Sequence, residues 1–95
     1  MDYDTLKQKL ESESDLYLFD IREPAELVEN KSPVPAVHKP MGQIFREAAS
    51  KQLPNDIQIV VFCASGSRGS ITAEFLRSNG YDALNLEGGY MAMIK

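Results

Sequence analysis

The stretch Ile57-Gln58-Ile59-Val60-Val61-Phe62 is the most apolar in the chain, and it ends on Cys63 and the loop Ala64-Ser65-Gly66-Ser67-Arg68-Gly69. A short run rich in β-branched residues, stopped by a Gly/Ser cluster, reads as a buried central strand. A helical pattern follows at once, from Ser67 to Asn79, with Gly80 suited to the left-handed position that ends a helix. This order puts a thiol at the carboxyl end of a strand, facing the amino end of a helix. Backbone amides and the helix dipole both stabilise a thiolate there. Cys63 is the only cysteine, and a lone cysteine after a strand is often just a core residue. Two glycines, neighbouring serines and an arginine five positions on make these surroundings fit an anion site instead.

The rest of the chain alternates in the same way. Tyr3 to Leu10 carries Leu6 and Leu10 at helical spacing. Leu16-Tyr17-Leu18-Phe19-Asp20-Ile21 reads as a second buried strand, and Glu23-Pro24 opens a helix through Glu29, with proline and carboxylates in its first turn. Pro33, Pro35 and Pro40 confine Asn30 to Gly42 to loop, with at most an edge strand at Ala36-Val37-His38. Gln43 to Leu53 reads as helix, with Ile44, Ala48 and Leu53 inward. In the helix after Cys63, Ile71, Phe75 and Leu76 form the expected apolar stripe. Ala83 to Leu86 is a last short strand, Glu87-Gly88-Gly89-Tyr90 turns the chain, and Met91 to Lys95 begins a terminal helix. Strands separated by helices predict one three-layer α/β domain over residues 1–95. Its central sheet is mostly parallel, of about four to five short strands, with helices on both faces. Ligands of such sheets bind beyond the carboxyl ends of the strands, where Cys63 lies.

Bulk properties narrow the function. A chain of 95 residues with a 43% hydrophobic fraction makes one small globular domain. The net charge of −4 disfavours a nucleic-acid surface. No apolar run is of membrane-spanning length, and the Met1-Asp2-Tyr3-Asp4 start is not that of a signal peptide. With a single cysteine, a reducing, cytoplasmic setting is expected. His38 is the only histidine, so no metal-ligand cluster or cofactor is expected.

Three segments in order carry a resemblance. The Cys63 loop, Asp20-Ile21-Arg22-Glu23-Pro24 and Glu87-Gly88-Gly89-Tyr90 resemble a single-domain rhodanese, a sulfurtransferase domain. Asp20, Arg22 and Glu26 match its Asp-x-Arg-x-x-x-Glu pattern, and Pro35 to Gly42 is similar to the segment after its second helix. The resemblance implies that Cys63 takes a sulfane sulfur from thiosulfate or a persulfide donor. The resulting persulfide passes that sulfur to a thiol or cyanide-like acceptor. It implies Cys63 and Arg68 as catalytic residues, with Ala64, Ser65, Gly66, Ser67 and Gly69 as the substrate cradle. A protein partner fits the same scheme; a nucleic acid or a membrane does not. Asp20 and Arg22 read as a supporting ion pair rather than as reacting groups, with Glu26 one helical turn on completing that network.

Loop length separates this reading from its neighbours. Cysteine phosphatases place the arginine six positions after the nucleophile, whereas Arg68 follows Cys63 by five. The shorter loop makes a tighter cradle, matched to one sulfur atom rather than a phosphoryl group, which leaves phosphatase or arsenate reductase as the lesser alternative. A sulfur-carrier or docking module is the nearer one. Where the family often has arginine after the nucleophile this chain has Ala64, which removes a cation from the mouth of the site.

Overall fold

A computed structural model describes all of residues 1–95. Nine elements follow in the order α1 (Tyr3–Glu11), β1 (Leu16–Asp20), α2 (Pro24–Glu29), β2 (Val37–His38), α3 (Met41–Ala49), β3 (Gln58–Phe62), α4 (Ser67–Ser78), β4 (Ala83–Asn85) and α5 (Gly89–Met93). The four strands pair in the order β2-β1-β3-β4, and every pairing is parallel. The apolar run before Cys63 is an inner strand, paired on both sides.

Alternation along the strands builds the three layers. Ile59, Val61 and Cys63 face one side with Phe19 and Ile21, packed against Ile44 and Ala48 of α3 and Ala73 and Leu76 of α4. Val60 and Phe62 face the other with Leu18, packed against Leu6 of α1 and Met93 of α5. Cys63 therefore continues the pleat towards α4. Helix α2 buries no residue and sits at the carboxyl edge of the sheet as a bracket.

Two expectations are corrected. Helix α3 ends at Ala49 rather than Leu53 because Lys51 turns left-handed at φ 60°, and Gln52 N then donates to Glu47 O at 2.8 Å. Leu53 is still buried, carried inward by the turn. In α4 the inward face is Gly69, Thr72, Ala73 and Leu76, while Ile71 is 58% exposed. Small residues at 69, 72 and 73 let the helix lie close against the sheet, and that rotation turns Ile71 outward.

Candidate active site

Parallel pairing brings the ends of all four strands to one edge. Asp20 pairs with Phe62 and with His38, and Val61 pairs with Asn85. The segments that follow β1, β3 and β4 meet there, so the three sequence motifs converge through topology alone.

Cys63 is fully buried, and its Sγ accepts from Gly66 N at 3.0 Å and Gly69 N at 3.3 Å. Gly69 is the third residue of α4, so its amide is one of the first-turn donors that no helical carbonyl can satisfy. The sulfur takes the place of a capping side chain: the N-cap is Gly66, which has none. Gly66 adopts φ 111°, a conformation that favours glycine. Neither Ser67 nor Ser70 caps the helix; both are exposed, as is Ser65, while Ala64 is half-buried.

The carbonyls of the loop are drawn the other way. Tyr90 N donates to Cys63 O at 2.8 Å and Met91 N to Ala64 O at 2.9 Å, so the first turn of α5 occupies both. Gly89 makes this approach possible: its φ is 56°, and a Cβ there would stand 2.3 Å from Cys63 O. The double glycine of the last motif thus serves the cysteine loop by fixing which way its peptide groups point.

Arg68 lies on α4, but its two terminal nitrogens go to Glu26, Nη1 to Oε1 at 2.7 Å and Nη2 to Oε2 at 2.9 Å. Glu26 Oε1 also accepts from Glu23 N at 2.9 Å, closing the first turn of α2. The Arg68 guanidinium holds the Glu26 carboxyl down to about 2. Arg68 is pushed up in return, first by Glu26 and further by Cys63 and Glu23. The expectation that Glu26 completes an Arg22 network is corrected, because Arg22 turns back on its own strand. Its Nε and Nη2 reach Asp20 at 3.0 and 2.8 Å, and both residues are 1% exposed. The Arg22 guanidinium lies 4.6 Å from the centre of the Tyr90 ring, so the first motif and the last also lock together. His38 Nε2 donates to Arg22 O at 2.7 Å, a structural tie.

One residue had no signal in the sequence. Asn85, at the end of β4, donates from Nδ2 to Gly66 O at 3.2 Å. A strand-end asparagine is too common to stand out, and only the sheet register places it beside the loop.

Comparison with known proteins agrees with this geometry. The family model described as a rhodanese-like domain matches residues 2–95. The chain is 39% identical over 87 residues to a putative sulfurtransferase, YtwF, of Bacillus subtilis, covering 92% of this chain and 82% of that one. It is 36% identical over 93 residues to a sulfurtransferase of Allochromatium vinosum, covering 97% and 84%. The crystal structure of a rhodanese-like domain protein from Staphylococcus aureus superposes with a TM-score of 0.83 at 32% identity, covering 97% of this chain and 87% of that one. With its motifs joined at one sheet edge and matched from residue 2 to residue 95, the chain belongs to the rhodanese-like domain family.

Proposed function

We propose that this domain is a sulfurtransferase that carries sulfane sulfur as a persulfide on Cys63. The observation that supports this best is the pair of backbone amides, Gly66 N and Gly69 N, directed at Sγ from the start of α4. Such a cradle stabilises a sulfur anion without a histidine base.

The Cys63 thiolate attacks the outer sulfur of thiosulfate, forming a Cys63 S–S bond, and the donor's own S–S bond breaks with sulfite leaving. With a persulfide donor the leaving group is a thiolate. A thiophilic acceptor such as cyanide then takes the outer sulfur, and its electron pair forms the new bond while the Cys63 thiolate is released. Gly66 and Gly69 hold the anion throughout. Ala64, Ser65 and Ser67 form the rim that the donor meets, and Arg68 adds positive charge beside it, shared with Glu26. Cys63 is fully covered, so donor capture includes a local opening at the half-buried Ala64 and exposed Ser65. Asp20 and Arg22 hold the edge of the site together and take no part in bond making.

A second reading, a sulfur carrier loaded by a partner protein, is favoured by the paired state of Arg68 and by Ala64, which leave little free positive charge to draw in a dianion. Intact mass after incubation with thiosulfate, and separately with a persulfide, tests both. The expected result is a gain of about 32 Da, absent in Cys63→Ala, and removed by cyanide with release of thiocyanate. No adduct with any donor would sink both readings. An adduct with a persulfide but none with thiosulfate would favour the carrier.

A further inference from the structure

We propose that Asn85 is a positioning residue for the sulfur cradle, the side chain that aims the Gly66 and Gly69 amides at Cys63. The proposal rests on the reading of Cys63 as the sulfur-accepting nucleophile. Asn85 sits on a rigid element, since its backbone pairs with Val61 in the inner strand, two residues before Cys63. Its carboxamide stands between the two residues that supply the sulfur's donors. Nδ2 donates to Gly66 O. Oδ1 lies over Gly69, so close that a Cβ on that residue would be 2.0 Å away. Gly66 O accepts from Ser70 N as well, at 2.9 Å, so Asn85 pins the peptide that joins the cradle to the helix.

The Oδ1 atom carries the inference further, because it is buried with no hydrogen-bond partner. Leaving a buried acceptor unpaired lowers stability. A leucine would avoid that cost but lose the donor to Gly66, and an aspartate would set a carboxylate beside a sulfur anion. The donor that the asparagine supplies to Gly66 O offsets this loss of stability. The glycine at position 69 has the same cause. Gly69 is not among the positive-φ glycines, so its backbone does not require glycine; the Asn85 oxygen does.

The test is the pH profile of Cys63 alkylation by iodoacetamide, measured with persulfide loading by intact mass, in Asn85→Ala and Asn85→Asp. Arg68 on α4, which is electrostatically linked to Cys63, its partners Glu26 and Glu23 at the start of α2, and the Asp20–Arg22 pair at the end of β1 are unaltered in both variants. In Asn85→Asp the alkylation midpoint moves up by about one pH unit, and the rate on the limb well below that midpoint falls about tenfold. In Asn85→Ala both move the same way by less. Asn79→Ala, which removes a side-chain bond to Phe75 O at the far end of α4, is the control: it loses stability and keeps the parent's midpoint. Variants that fold and keep the parent's midpoint overturn the proposal. Failure of both variants to fold also overturns it, by assigning Asn85 to the stability of the sheet. A parent that never forms a persulfide, with the shift in midpoint intact, sinks the function proposed above and leaves Asn85 in its role.

Discussion

Arg68 is held by both carboxylate oxygens of Glu26, so the one arginine of the cysteine loop is tied to a helix that starts from a different strand. The fork fixes α2 over the loop and shares the guanidinium charge before any donor arrives. Glu26→Gln therefore acts in two directions. It weakens the tie, lowering stability by about 1 kcal/mol, since both side chains are about a third exposed and solvent screens the pair. It also frees positive charge, and the KM for thiosulfate falls about fivefold, an effect of similar size. Steady-state thiocyanate formation checks this. An unchanged or raised KM in the folded variant would show that Arg68 does not meet the donor.

The same pair sets a pH dependence. Glu26 titrates at about 2 in the folded chain against an ordinary value of 4.5. The folded value is the lower one, so the stabilisation is complete above pH 4.5 and is lost as pH falls towards 2. Glu47 is also depressed, chiefly by its bond from Lys39, and contributes acid sensitivity of the same sign. The difference in unfolding free energy between the parent and Glu26→Gln isolates the first of these. In urea titrations it is about 1 kcal/mol at pH 6 and shrinks steadily through that acid window. A difference that stays constant down to the lower end would contradict the assignment.

The alternation of strands and helices is legible because the two inner strands, β1 and β3, are near-continuous apolar runs and α1 and α3 carry buried apolar residues at helical spacing. Cys63 and its glycines were readable because a parallel sheet puts strand ends at one edge. What escaped was set by rotation and by pairing across the chain. Helical spacing alone places Ile71 inward, yet the small residues at 69, 72 and 73 decide which face meets the sheet. Proximity in sequence pairs Glu26 with Arg22, yet Arg22 is taken by Asp20, and the Glu26 carboxylate finds Arg68, 42 positions away. Asn85 depends on register, which no local pattern encodes.

The Asp20–Arg22 pair is almost wholly buried and carries no exposed charge to solvate it if broken. Arg22→Leu leaves the buried Asp20 carboxylate without its cation, with only the backbone N–H of residue 22 donating to it, and removes the cation from the Tyr90 ring. The expected loss is about 3–5 kcal/mol by denaturant unfolding. Replacing both, as Asp20→Ala with Arg22→Leu, costs less than Arg22→Leu alone, because no unpaired charge stays behind. If the double variant is the less stable of the two, the pair is a net source of stability rather than a device for joining the first motif to the last.

Gly69 and Asn85 form a steric pair whose sign can be reversed. Gly69 lies inside α4 with ordinary helical backbone, where alanine is favoured over glycine by about 0.5–1 kcal/mol. In the parent that gain is overwhelmed, because the new methyl would stand 2.0 Å from Asn85 Oδ1 and 3.0 Å from its Cγ. Gly69→Ala is thus expected to destabilise by about 1–3 kcal/mol and to displace the amide that faces Cys63. In an Asn85→Ala background the obstruction is gone, and the next neighbour of the methyl is Cys63 N at 3.7 Å, an ordinary contact. There Gly69→Ala becomes neutral or stabilising, which a double-mutant cycle of unfolding free energies reads directly. Equal destabilisation in both backgrounds would mean that something other than Asn85 excludes a side chain at position 69.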